Sequence, residues 1–185
     1  MKLIPSAIVV AVFCLAGCSL SRGSSAVSSE LDDRLAIYSE VIETINTEFV
    51  GTGAKIVLVR ALPVRCYYQK DESLLWPALE SAQATATPLT IPPVVGVPVL
   101  LISESELKTI GPSTVPIGWP SLTEKYPLAQ GVVEVSAVGF DSSRSRGLVA
   151  ASVGFGQRCG IGGVWEVAKE NDGWRIDQRT QSWKY

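Results

Sequence analysis

The chain has 185 residues, with 16 Lys and Arg against 18 Asp and Glu, 4 Cys and no His, a length that suits a single domain. Its basic residues form no stripe, so the electrostatic footprint that a nucleic-acid backbone requires is missing. The absence of histidine excludes Ser-His and Cys-His catalysis and His-based zinc sites.

Residues 1–17 carry Lys2 followed by the apolar run LIPSAIVVAVFCLAG, the build of a secretory signal that is too short to span a bilayer. The run ends in Leu15-Ala16-Gly17-Cys18, which resembles the lipobox of bacterial lipoproteins. The resemblance implies cleavage before Cys18 and acylation of its sulfur and amine, which supplies more than the single chain that binds a membrane only marginally. In lipoproteins of hosts with two membranes, Ser19 after the cysteine resembles the outer-membrane class. The expected address is therefore the cell envelope, lipid-anchored, at the outer membrane facing the periplasm. Residues 18–29 are Ser-rich and read as a flexible tether, with one globular domain over 30–185. Loss of Lys2 with the signal leaves that domain mildly acidic.

Ser29 with Asp32 predicts a helix start, and Leu31, Leu35, Tyr38, Ile42, Ile45 and Phe49 follow at spacings of three and four, one apolar face of a helix laid across a sheet. Asp33, Arg34, Glu40, Glu43 and Thr47 fall on its other side. The β-branched run Lys55 to Ala61 predicts a central strand. After Cys66, Pro77 predicts a helix start within DESLLWPALESAQATA. Pro88, Pro92, Pro93 and Pro98 make TPLTIPPVVGVPV an extended loop, offered either as a contact surface or as packing for the domain. Val99 to Ile102 reads as a short strand, and Ser103 with Glu106 as a capping box for a helical turn ending near Gly111. Ser105-Glu106-Leu107-Lys108 has the formal S-x-x-K spacing, but no partner motif follows and the cap accounts for its polarity.

From Gly131 to Trp183 four strands and three turns are expected. Val133, Val135 and Ala137 alternate with Glu134 and Ser136, and Leu148–Phe155, Val164–Lys169 and Trp174–Gln178 each offer an apolar face. Asp141–Arg144 is a polar turn, Gly154–Gly163 a wide glycine-rich one, and Asn171-Asp172-Gly173 a tight one. Trp165, Trp174 and Trp183 are expected in or near the core. GFGQRCGIGG lies between two strands, the wrong context for a phosphate loop.

ISESELKTIG, GWPSLTEKYPLAQGVVEVSAVGFD and VWEVAKENDGWRIDQRTQSW together resemble a set of uncharacterised exported bacterial proteins. These share an S-x-VGF strand, a C-G turn and a closing DG-W strand, and the likeness covers residues 99–183. It implies an envelope or extracellular location and no activity. With Cys14 removed and Cys18 acylated, Cys66 and Cys159 remain, and two thiols in an oxidising compartment suggest one disulfide. Closing a loop of about 93 residues is worth roughly 4–5 kcal/mol in the chain-entropy account. A free redox or metal-binding thiol pair is the alternative.

The expected fold is α+β: an N-terminal helix packed on an antiparallel sheet with a C-terminal β-meander, with cystatin-like or nuclear-transport-factor-like cones as the alternative. No cofactor and no metal is expected. The first functional reading is a non-catalytic envelope lipoprotein, held to the bilayer by acylated Cys18, that binds an envelope protein or a small ligand through the Pro88–Pro98 loop. The second is a hydrolase of envelope substrates using two of Glu124, Glu134, Asp141 and Glu166. Solvent-facing Glu134 and Glu166 on a flat sheet would end that reading.

Overall fold

The computed structural model describes residues 22–50, 56–63, 73–110, 122, 124–156, 159–171 and 173–184, with backbone alone at 22–28, 49–50, 155–156 and 159. The signal peptide, Cys18 and Cys66 lie outside the described residues.

The fold is α+β. Helix α1 (Arg22–Ile45) continues as a π-helical turn over Asn46–Val50. Strand β1 (Ile56–Arg60), helix α2 (Trp76–Ala84), strand β2 (Val99–Ile102) and helix α3 (Glu104–Ile110) follow. Strands β3 (Ala129–Val135), β4 (Gly139–Phe140), β5 (Arg146–Gly156), β6 (Cys159–Glu170) and β7 (Gly173–Lys184) complete the chain. All seven strands form one sheet in the order β2-β1-β3-β5-β6-β7, with β4 also on β5.

The sheet is mixed rather than antiparallel. β1 pairs in parallel with both β2 and β3, while β5, β6 and β7 form the expected meander. The reason lies in the layers. Val57 and Val59 of β1 join Ile37, Tyr38, Val41, Ile42 and Ile45 of α1 in one cluster with Val149, Val153, Trp165 and Trp174. Leu58 faces the opposite side with Ile102, Leu122 and α3's Leu107, and α2's Trp76 and Leu79 cover Leu148, Ala150 and Val164 on that same side. Helices on both faces suit parallel strands, whose run IVLV is apolar on both sides for that reason.

Helix α1 begins seven residues before the expected cap at Ser29, so the second half of the segment expected to be a tether is helical. A serine costs only a few tenths of a kcal/mol against alanine in a helix, and once the Ile37–Ile45 packing has nucleated the helix each added residue adds a hydrogen bond. The buried face is also rotated. Ile37 and Val41 are fully buried, whereas Leu31 is 40% exposed.

The stretch expected to be a wide glycine-rich turn is largely strand: Gly154, Gly160, Gly162 and Gly163 are paired, and the ladder reaches Gly156 and Cys159. Gly162 and Gly163 make room for indoles. A Cβ on Gly162 would meet the Trp183 ring at 2.6 Å, and one on Gly163 the Trp165 ring at 3.0 Å. On α2, Pro77 sits in the first turn as expected, and the Leu79 backbone lies so close to β4 that a Cβ on Gly139 would be 2.1 Å from its nitrogen.

Between β3 and β4 the strand is interrupted at Ser136–Val138, and side chains take over the ladder. Ser136 N–H donates to Ala150 O at 2.8 Å, while its hydroxyl accepts from Ala150 N–H at 2.9 Å and donates to Ala137 O at 2.7 Å. Tyr38 Oη donates to Ser136 O at 3.1 Å and Ala137 N–H donates to Gln83 Oε1 at 2.8 Å. α1 and α2 are thereby tied to the same irregularity from opposite faces of the sheet.

Candidate functional site

The proline-rich segment crosses α1, and a concavity lies on each side of the crossing. Backbone amides freed from any sheet find other acceptors: Leu89 N–H donates to Ala61 O at 2.7 Å, Val94 N–H to Ser39 Oγ at 3.0 Å, and Gly96 N–H to Glu43 Oε2 at 2.8 Å. Leu89, Val95 and Val97 pack on the core, while Ile91 is 51% and Val94 84% exposed. The segment therefore packs inward with some side chains and leaves others in solvent.

On one side of the crossing lies a cleft of about 710 Å³, with Leu31, Arg34, Leu35 and Tyr38 on the α1 wall and Pro88, Leu89 and Ile91 on the other. Arg34 Nη2 pairs with Glu30 at 2.5 Å. Burial pushes the Tyr38 phenol well above its ordinary value, so it stays protonated and keeps the hydrogen that it donates to Ser136 O. On the other side is a smaller recess of about 470 Å³ that includes Glu40, Glu43 and Glu48. Its acids are engaged: Arg175 donates to Glu40 at 2.6 Å, Arg179 to Glu48, and Gly96 N–H to Glu43.

The four candidate catalytic carboxylates are not assembled into a matched acid and base. Glu124 is exposed near the start of β3. Glu134 is bound by Arg60 Nη1 at 2.7 Å, and Arg60 also grips Glu104 with Nε and Nη2. Hydrogen bonding to Arg60 outweighs partial burial and holds Glu104 below the usual carboxylate range. Asp141 lies in the β4–β5 turn, where it accepts from the Ser143 hydroxyl and from the Ser145 and Arg146 amides, donors that bring it down to about 2. Glu166 is 8% exposed and is held by the Ser73 hydroxyl at 2.7 Å and Arg146 Nη2 at 2.9 Å. Glu166 is nearly buried and the Glu134 side chain is 35% exposed, and each is fastened to an arginine. A general acid of the glycosidase kind needs a raised pKa, and Asp141 has moved the other way.

Sequence reasoning missed Asp33, assigned to the solvent side of α1. It is 8% exposed and accepts from Lys169 Nζ at 2.8 Å, Arg144 Nη2 at 2.9 Å and Trp174 Nε1 at 2.9 Å. Burial acts to raise its pKa, but the hydrogen bonds from Lys169 and Trp174 and the two cations outweigh it, and the net shift is downward. This cluster fastens α1 to the β5–β7 end of the sheet. Ser105 is hydrogen-bonded to Ser103 at 2.9 Å, and the Ser103 hydroxyl caps α3 by accepting from Glu106 N–H at 3.2 Å, so the S-x-x-K spacing is part of a helix start.

Among the described residues, no group of three or more Cys, Asp or Glu is placed to hold a metal ion, and no helix is long and apolar enough to cross a membrane. No protein-family model, curated protein or solved structure matches the chain.

Proposed function

We propose that the protein is an envelope lipoprotein, anchored in the membrane through acylated Cys18, that acts by binding rather than by catalysis. The lipobox-like LAGC behind an apolar signal supports the anchor, and Ser19 supports the outer membrane, facing the periplasm. The observation that carries the binding reading is the cleft beside α1, walled by a proline-rich segment that keeps Ile91 and Val94 in solvent. Small-molecule sites have about 300–1,000 Å³ and mostly apolar walls, and the cleft meets both criteria. Of the four carboxylates that a hydrolase would use, Glu134, Glu166 and Asp141 are engaged by Arg60, by Arg146 and within the β4–β5 turn. A disulfide between Cys66 and Cys159 belongs to the same proposal, since an oxidising compartment favours it.

Radiolabelled palmitate supplied to cells should enter the wild-type protein and not Cys18→Ser, and only the wild type should sediment with membranes. Absence of label from a well-expressed wild type refutes the anchor. A photocrosslinking residue at 91 or 94 should give a defined adduct that the same residue at Lys184 does not. Equal capture at all three positions refutes the contact surface. Under denaturing, non-reducing conditions, Cys66 and Cys159 should resist alkylation, and modification of both refutes the bridge.

A further inference from the structure

The cleft has chemistry more specific than a general contact surface. Leu31 and Leu35 belong to the apolar stripe of α1, yet the domain buries Ile37, Val41, Ile42 and Ile45 and leaves those two on the cleft wall, Leu31 at 40% exposure. Opposite them stand Pro88, Leu89 and Ile91, so two apolar walls face each other with nothing of the described chain between. Uncovered apolar surface on both sides of a narrow space favours an apolar occupant. Arg34 lies on the α1 wall. One of its nitrogens pairs with Glu30 at 2.5 Å and its Nε is buried, while the side chain as a whole is 31% exposed, so the guanidinium meets an anionic group through its exposed part.

The covalent distance to the anchor sets what is at hand. Cys18 precedes Arg22 by four residues, which span at most about 14 Å, and α1 from Arg22 to Leu31 adds about 14 Å at 1.5 Å per residue. A bilayer that holds Cys18 therefore lies within about 28 Å of the cleft along the chain.

We infer that the cleft takes one long-chain acyl amphiphile with an anionic headgroup, drawn from the membrane to which the protein is tethered. The chain lies between Leu31 and Leu35 on one wall and Pro88 and Ile91 on the other, and the headgroup meets Arg34. This inference rests on the anchored, ligand-binding reading above.

The test uses the full mature chain with Cys18→Ser, which has no acyl groups of its own to compete, titrated with the fluorescent fatty acid cis-parinaric acid. Saturable one-to-one binding is expected, with displacement by palmitate. Ala86→Trp, which fills the cleft, and Ile91→Glu, which puts an anion on its exposed wall, should each weaken binding by about tenfold or more with an unchanged circular dichroism spectrum. Ile91 is half exposed, so that variant keeps the test decisive if Ala86→Trp folds poorly. Arg34→Gln should weaken parinaric acid and leave displacement by uncharged hexadecanol unaltered. No saturable binding by the folded protein, or binding indifferent to both cleft variants, overturns the inference. So does concentration-dependent dimerisation abolished by Ile91→Glu without fatty-acid binding, which would make a second copy the occupant. Palmitate labelling of the wild-type protein is read separately: fatty-acid binding without Cys18-dependent labelling would refute the anchor and leave the cleft assignment standing.

Discussion

Replacing Ser136 by alanine removes a single oxygen, yet that oxygen completes the ladder where β3 gives way to β4. Ser136 is 1% and Ala150 0% exposed, so water cannot take over either lost contact. The Ala150 amide, which donates to the hydroxyl at 2.9 Å, would be left buried without an acceptor, at about 1–3 kcal/mol. The hydroxyl's own bond to Ala137 O would go too, at about 0.5–1.5 kcal/mol. Together the loss is about 2–4 kcal/mol, which at roughly 2–4 °C per kcal/mol for a domain of this size lowers Tm by about 4–16 °C. Urea denaturation of wild type and Ser136→Ala, followed by tryptophan fluorescence, measures it, and the m-value should not change because the exposed surface is the same. Tyr38→Phe, which deletes only the donor to Ser136 O, should cost less, about 0.5–1.5 kcal/mol. A Ser136→Ala protein within about 0.5 kcal/mol of wild type would refute the reasoning, since it would mean that the interruption satisfies itself without the hydroxyl.

Asp33→Ala should destabilise the domain by about 1–3 kcal/mol, chiefly by orphaning the Trp174 indole N–H, because Lys169 and Arg144 are exposed enough to be rehydrated. Its carboxyl titrates below the ordinary 3.8, so its contribution is present above that pH and is lost as pH falls through the lower folded value. The difference between wild type and variant should therefore shrink in acid, and a difference that grows there would contradict the cluster. Asp141 should titrate at about 2 by carboxyl NMR, and Ser143→Ala, which removes the largest stabilising donor, should move it back toward 3.8; an unmoved midpoint would count against the turn geometry. Gly139→Ala places a Cβ against the Leu79 backbone at 2.1 and 2.4 Å, which a rotamer change cannot relieve. A loss of about 1–3 kcal/mol and a changed Trp76 environment are expected, and wild-type stability would mean that α2 does not pack against β4.

Local features were the legible part of the sequence. Gly173 has φ 138° in the Asn171–Gly173 turn, Pro77 opens α2, Ser103 caps α3, and Trp165 and Trp174 are buried, because each depends on residues close in sequence or on side-chain character alone. Strand direction was not legible. IVLV announces a strand covered on both faces, but composition does not say whether its neighbours run parallel, and β1's partners lie more than 40 residues away. The rotated face of α1 escaped for a related reason: periodicity admits both Leu31–Leu35 and Ile37–Val41 as inward positions, and only the space left by the sheet and the proline-rich segment decides between them. Arg60 with Glu104 and Glu134, and Asp33 with its three donors, unite polar groups that are 44 to 141 residues apart, and no spacing rule reaches that far.

The Asp33 cluster also orders events in time. Its carboxylate comes from the start of the domain, and its partners stand 111, 136 and 141 residues later. In a chain that leaves the ribosome or a translocon amino end first, α1 emerges with its apolar stripe bare and cannot dock until β5, β6 and β7 have followed. The meander closes with neighbours in sequence, while the helix docks through contacts of long separation, the slow class of folding step. During that interval Ile37, Val41, Ile42 and Ile45 are the residues for which a chaperone would compete.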